Sequence, residues 1–535
     1  MSILRILFVL VGMGSVALAQ TNAPSQVRRL TLQECIELAL TNNLQLQIDR
    51  YNPQIALYGV KQAYGGYDPV MNLSGQHDHR ESGTQILGGA FTIGGSATDD
   101  NSFSGALNGL TPIGTTYGLQ INTADTYGST PTTMDDPTRP LFRTTNIVYD
   151  VEGGTNKTIV TTSYAQIPGQ RPFENSTASA GFTVSQPLLK NFWIDSTRLT
   201  IRVAKNRLKY SEQGLRQQIM QTLTAVEQAY YELIYTRESL LVQQKAVELA
   251  ERLVMENRKR LEVGALAPLD LQSAEAQAAS TRAAVIAAKS QLDTQERLVK
   301  SLITDRYQEL WANIPLEPAG SLTAPVPVLN LQDSWSKGLS MRPEILQAKL
   351  DIERQGIQLK YDRNQLLPQL DVFGTYGYNG TGKEFSDAFY DVQSLDRRYY
   401  SYGGRISVPL FNLSAKNAHR SDKATMQQLV LGLKQLEQNT LILIDNDIGN
   451  IRANYDQVQA TRAARQYQEA ALDAEQKKLE NGKSTTYTVL QVQRDLTAAR
   501  GNEIQALDAY NKSLSQLSLH EGSTLERLGV KLDVK

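Results

Sequence analysis

The sequence predicts an α+β protein of internally duplicated design, in which antiparallel strands alternate with very long antiparallel helical hairpins. Three observations predict it. Two helical runs, from about Thr197 to Glu262 and from about Ala415 to Glu480, each cover roughly 65 residues, a rod of about 100 Å at 1.5 Å per residue. Each run follows a short segment containing Pro-Leu, Ser185-Gln186-Pro187-Leu188-Leu189 and Ser407-Val408-Pro409-Leu410-Phe411, and each is closed by a glycine, Gly264 and Gly482. Alternating segments at 69–77, 179–188, 368–376 and 402–410 read as strands.

Composition narrows the class. The chain has 535 residues, with Lys+Arg 54 against Asp+Glu 55, a net charge of -1. That balance gives no basic footprint for nucleic acid. The one cysteine, Cys35, cannot form an intramolecular disulfide. Residues 1–19 read as a secretory signal: Arg5, an apolar core from Ile6 to Val11, and an Ala17-Leu18-Ala19 cleavage site. No cysteine follows that site, so no lipid anchor is expected there. Beyond it no apolar run of about 18 residues remains. An exported chain of this kind is either soluble or enters a membrane as a β-barrel, whose signal per strand is weak.

Taken in order, Leu30-Thr31-Leu32-Gln33-Glu34-Cys35-Ile36-Glu37-Leu38-Ala39-Leu40 opens with a Thr31/Glu34 capping box and sets Leu32, Ile36 and Leu40 on one face. Cys35 reads as a small buried side chain. Helix is expected from about Leu44 to Tyr64, where Gly65-Gly66 stops it. A strand follows from Pro69 to His77. Phe103–Leu110 and Thr116–Asn122 read as a hairpin around Pro112-Ile113-Gly114. The stretch from Tyr127 to Asn175 lacks periodicity and is expected as exposed loop. In the first long helix Ile219, Leu223, Val226, Tyr230 and Leu233 form a heptad seam. Gly264 as a C-terminal cap and Pro268 in a first turn predict a tight hairpin into an alanine-dense helix ending near Asp305.

The chain repeats itself. With Leu40 set on Leu339, Pro69 falls on Pro368 and Gly75 on Gly374. Leu261-Glu262-x-Gly264 matches Leu479-Glu480-x-Gly482, and Ile444, Ile448, Ile451, Tyr455 and Val458 renew the heptad seam. The expected organisation is a signal peptide 1–19 and a first repeat 20–312, with an insertion at 78–175 and a helical hairpin at 197–305. A Pro-rich linker 313–330 leads to a second repeat 331–520, with strands 368–376 and 402–410 and a hairpin 415–518, then a tail 521–535. Two strand hairpins leave open sheet edges, which are costlier still in a bilayer. Closing one barrel from several copies removes those edges and gives the helical seams partners.

The chain resembles the TolC-type outer membrane factor family over its mature length. The resemblance rests on Leu30-Thr31-Leu32-x-Glu34-x-Ile36-x-Leu38-Ala39-Leu40-x-Asn42-Asn43, Ser185-Gln186-Pro187-Leu188-Leu189, Leu261-Glu262-x-Gly264, Leu269-Asp270-Leu271-Gln272-x-Ala274-Glu275 and Arg342-Pro343-Glu344-Ile345, in this order and doubled. It implies a homotrimer with a shared β-barrel in the outer membrane, continued by an α-helical coiled-coil tunnel in the periplasm. It also implies docking to a periplasmic adaptor and an inner-membrane transporter. The adaptor-docking tips would be Gly264, Ala265, Leu266, Gly482, Lys483 and Ser484. In the best-known family members two aspartates just after the second-half tip narrow the closed periplasmic entrance; the matching positions here are Thr488 and Gln491, and Asp495 one turn on could substitute. A family barrel takes four strands per chain. The additional hairpin at 103–122 either raises this to six or lies outside as extracellular loop; its short turn favours six.

Other candidates are weak. His77-Asp78-His79 places both histidines on one strand face, but nothing completes a metal site. His419 and His520 read as isolated surface or packing residues. There is no nucleophile, zinc or phosphate-loop motif, and no acid/base pair is nominated. Tyr64, Tyr67, Phe192 and Trp193 fit either a membrane interface or packing at a barrel–tunnel junction. The reading is a passive conduit with no cofactor, not an enzyme. Its alternatives are a protein-secretion channel rather than small-molecule efflux, and a periplasmic coiled-coil scaffold without a pore. The strand segments argue against the scaffold.

Overall fold

The structure, a computed structural model, describes residues 27–87, 91–149, 156–264, 267–311 and 314–530; the expected signal peptide lies outside them. Its contacts divide into two units. One holds Ala56–Leu208 and Asp351–Leu429; the other holds residues up to Ile55, Lys209–Leu350 and from Val430 onward.

Besides a short two-stranded sheet of Gln85–Leu87 and Phe91–Ile93, the first unit carries a six-stranded one. Its strands are β1 (Val70–Glu81), β2 (Ala97–Leu110), β3 (Thr116–Tyr149), β4 (Asn156–Pro187), β5 (Gln369–Gly382) and β6 (Arg398–Ser407). The order is β6-β5-β4-β3-β2-β1, antiparallel throughout. The 103–122 hairpin is therefore part of the sheet. Its turn closes with Gly114 N–H donating to Thr111 O at 2.9 Å, and Gly114 takes φ +88, which a residue without a Cβ adopts freely.

Register fixes what each face presents, because directly paired residues lie on the same side. One row crosses all six strands: Met71, Leu107, Leu119, Phe182, Tyr376 and Tyr400. Its neighbour on the opposite face runs Ser74, Ser104, Asn122, Ser179 and Asn379. The sheet is thus apolar on one side and polar on the other, the alternation that a half-wet, half-apolar setting demands.

The expected loop at 127–175 is a strand ribbon wherever it is described. β2 pairs with β3 only as far as Ser129, and β5 pairs with β4 only from Ser176. Beyond these points β3 and β4 pair with each other alone. Thr144-Thr145-Asn146-Ile147 and Thr158-Ile159-Val160-Thr161-Thr162 are mostly β-branched, which favours strand. They put similar side chains on both faces, so no alternation marks them. The prolines of this stretch sit on edge strands, where one side of the ladder needs no donor. Around Pro137 and Pro140 the register slips between Asp136 and Phe142.

The helices of 11 residues or more are α1 (Leu32–Asn42), α2 (Tyr51–Tyr64), α3 (Ser196–Glu262), α4 (Pro268–Ile303), α5 (Leu331–Met341), α6 (Pro343–Gln365), α7 (Leu413–Glu480) and α8 (Thr486–Glu521); a shorter helix, Phe385–Gln393, lies between β5 and β6 in sequence. The Thr31/Glu34 capping box forms, with Glu34 N–H donating to Thr31 Oγ1 at 3.2 Å and Thr31 N–H to Glu34 Oε2 at 2.7 Å. The helix expected over 44–64 is broken after a short turn at Leu44–Asp49, because Pro53 in the next turn has no N–H to return to Asp49.

In the second unit the first heptad seam is buried throughout: Ile219, Leu223, Val226, Tyr230 and Leu233 are each at most 2% exposed. Val226, Tyr230 and Leu233 pack with Cys35, Ala39, Val299 and Ile303, while Ile219 and Leu223 pack with Ile36, Leu46 and Leu525. Ile444, Ile448, Ile451 and Val458 of the second seam pack on Ala506, Tyr510 and Leu517 of α8. The Pro-rich segment is strapped to both seams by tyrosines. Tyr230 Oη donates to Leu30 O and accepts from Gly320 N–H, each at 3.1 Å, and Tyr510 Oη donates to Pro325 O at 2.7 Å. Among the described residues no helix is long and apolar enough to cross a membrane.

Candidate functional site

Both long hairpins turn on a left-handed glycine. Gly264 has φ +74 and Gly482 φ +71. Gly482 N–H donates to Leu479 O at 3.1 Å and Lys483 N–H to Lys478 O at 2.8 Å, the paired bonds of a Schellman cap. Gly264 N–H donates to Leu261 O at 2.9 Å. A Cβ at either glycine would meet nothing within 4 Å, so dihedral angle alone requires glycine there and each tip stands in open space. Ala265 and Leu266 lie outside the described residues. Ser484 Oγ donates to Glu475, whose carboxyl is held below its usual range by that bond and by Lys478. Behind the tips Leu253 of α3, Leu472 and Leu479 of α7, and Val489, Leu490 and Leu496 of α8 share one core. Arg260 reaches from α3 to Leu479 O at 3.4 Å.

Thr488, Gln491 and Asp495 fall on one face of α8. Thr488 is half-buried, with its N–H capped by Thr485 Oγ1 at 3.3 Å, while Gln491 and Asp495 are exposed. Farther along, α7 and α8 are tied by charge: Arg500 meets Glu469 at 2.8 Å and Arg462 meets Glu503 at 3.3 Å, while Arg465 meets Glu469 within α7 at 2.8 Å. The Glu469 carboxyl is accordingly held low, chiefly by Arg500.

The apolar sheet face lies open in the single chain. Met71 is 66% exposed, Leu73 72%, Phe103 57% and Tyr402 84%. The edges β1 and β6 present unpaired backbone. A contiguous apolar surface of this extent marks a membrane or protein contact, and unpaired edges template further strands.

The remaining candidates are placed as follows. His77 bonds Asn101 at 2.8 Å and His79 bonds Asp99 at 2.6 Å, cross-strand partners on β2. No group of three His, Cys, Asp or Glu among the described residues is placed to hold a metal. Phe192 and Trp193 stack edge to face at 5.0 Å with Trp193 74% exposed, and Lys205 lies over Tyr64 at 5.5 Å. His520, read as isolated, pairs with buried Asp447 at 2.5 Å.

One constellation was missed. Asp362 of α6 faces Asp422 and His419 of α7. Asp362 is 5% exposed; its Oδ1 accepts from Gln358 Nε2 at 2.9 Å and its Oδ2 has no donor. Burial, with the Asp422 carboxylate beside it, pushes the Asp362 carboxyl up to about 6. These residues come from different helices, so no spacing in the sequence signals the pair.

An open-edged antiparallel sheet with one apolar face, borne by a chain of long helical hairpins, is the fold of outer-membrane channel subunits. The chain matches the outer-membrane channel OprN with a TM-score of 0.63 at 15% identity, covering 92% of this chain and 90% of that one. It matches VceC from Vibrio cholerae with a TM-score of 0.61 at 15% identity, covering 92% and 96%. The chain belongs to the outer membrane efflux protein family, whose pattern matches residues 150–303 and 335–523. Among curated relatives, outer membrane efflux protein BepC of Brucella suis biovar 1 is 24% identical over 379 residues, 70% of this chain and 79% of that protein.

Proposed function

We propose that the chain is the outer-membrane component of a tripartite export system. Three copies close one barrel in the outer membrane, and the helical hairpins line a tunnel in the periplasm. The chain is a passive conduit and catalyses nothing. An inner-membrane transporter supplies the energy, and a periplasmic adaptor docks on the tips around Gly264, Ala265, Leu266, Gly482, Lys483 and Ser484. Thr488, Gln491 and Asp495 border the periplasmic entrance.

The observation that supports this reading most is the row Met71–Leu107–Leu119–Phe182–Tyr376–Tyr400, apolar across the sheet and opposed by a polar row. Lipid on one side and water on the other satisfies both rows, and closure between copies satisfies the edges. A pore-free periplasmic scaffold would leave that face in water. Fractionation tests the proposal: the mature protein is expected in the outer membrane, resistant to salt and alkaline extraction. Recovery as a soluble periplasmic protein would overturn it.

A further inference from the structure

We infer that the barrel is eighteen-stranded, with a lumen lined by hydroxyl and amide groups and wide enough for bulky hydrated solutes. The inference rests on the channel reading and on its three copies. It stands on the inserted hairpin β2–β3, which separates β1 from β4.

All six strands are long enough to span a bilayer. They have 12, 14, 34, 32, 14 and 10 residues from β1 to β6, against the roughly 9–11 that a tilted strand needs. The inserted pair also carries the lipid face. Leu107 and Leu119 continue the apolar row between Met71 and Phe182, and Phe103 and Ile121 lie on the same side. An extracellular loop would need neither property. Inserting two strands rather than one keeps every neighbour antiparallel, so β1 still faces outward as an edge that β6 of another copy can meet.

Six strands from each of three copies make eighteen, where four from each would make twelve. Diameter grows about linearly with strand number, so the bore is about one and a half times wider and its cross-section about twice as large. Barrels of this size hold an aqueous channel rather than a packed core. The lumen row Ser74, Ser104, Asn122, Ser179 and Asn379 is uncharged, with Ser74 and Ser104 hydroxyls 2.6 Å apart. It therefore passes bulky polar solutes, with charge on the same face only toward the strand ends, at Asp78, Arg80, Asp100, Asp371 and Arg405.

The sole native thiol makes the test clean, because Cys35 is buried and its thiol is pushed up to about 12. Full-length variants Ser104→Cys, Asn122→Cys, Leu119→Cys and Ile121→Cys are reconstituted in planar bilayers and treated with a charged, membrane-impermeant thiol reagent. Conductance is expected to fall on labelling of Ser104→Cys and Asn122→Cys and to stay unchanged for Leu119→Cys and Ile121→Cys. In the wild type, graded polyethylene glycols added from the outer-face side should enter up to a size that a twelve-stranded lumen excludes. Conducting Ser104→Cys and Asn122→Cys channels indifferent to the reagent, or a twelve-strand size limit, would overturn the inference and leave the channel reading intact. Absence of any conductance would instead overturn the channel reading on which it rests.

Discussion

Asp362 is a residue whose chemistry its sequence context does not show. Its carboxyl titrates near 6 against an ordinary 3.8, so the folded chain keeps a proton that the unfolded chain gives up. Stability from this group is therefore greatest below about pH 4 and is lost as pH rises through about 6. The groups acting on it are Asp422 and His419 from α7 and Gln358 on its own helix. Asp362→Asn keeps the neutral form at every pH. It should be more stable than wild type at pH 7.5 by roughly 1 kcal/mol or more, with the gap closing toward pH 4. Denaturation midpoints of both proteins across that range check this, and parallel profiles would show that Asp362 does not retain its proton. Gln491 poses a simpler question. It is exposed on α8 where an acid was expected, so Gln491→Asp should raise cation preference in reversal-potential measurements. Unchanged selectivity would mean that Gln491 does not border the pore.

Under the proposed function the hairpin tips are the elements that meet a partner. At Gly264 and Gly482 a side chain strains the dihedral angle, at a cost of about 1 kcal/mol each, but clashes with nothing. Gly264→Asp with Gly482→Asp should therefore leave oligomer and membrane insertion intact while abolishing export, because the added carboxylates would protrude where an adaptor is proposed to dock. Normal export by the double variant, at normal membrane levels, would remove the tips from docking. Much at this scale was legible in the sequence. The heptad seams, the Thr31/Glu34 box and the glycine turns are local or periodic signals, and each forms where its residues place it. The ribbon of β3 and β4 was not legible, because threonine-rich strands wet on both faces carry no alternation. Its pairing continues from the apolar ladder at Leu119 and Phe182 rather than from its own side chains. The Asp362–Asp422 pair was invisible for a different reason, since only the packing of α6 on α7 brings it together.

At the scale of the whole molecule, the single chain is chemically incomplete. Its sheet has two open edges and an apolar face bare to solvent, and the proposed bilayer and further copies would satisfy both together. The alternating segments disclosed the sheet's existence and its outward residues. They left open whether the 103–122 hairpin joins it, because the register that binds Leu107 to Leu119 and Leu119 to Phe182 is a relation between strands. Under the proposed function, copies of this chain enclose a water-filled pore. Single-channel recording of the purified mature protein in a planar bilayer tests it most directly. Discrete, stepwise current increments of uniform size are expected; a membrane-bound protein that yields no such steps would contradict the account.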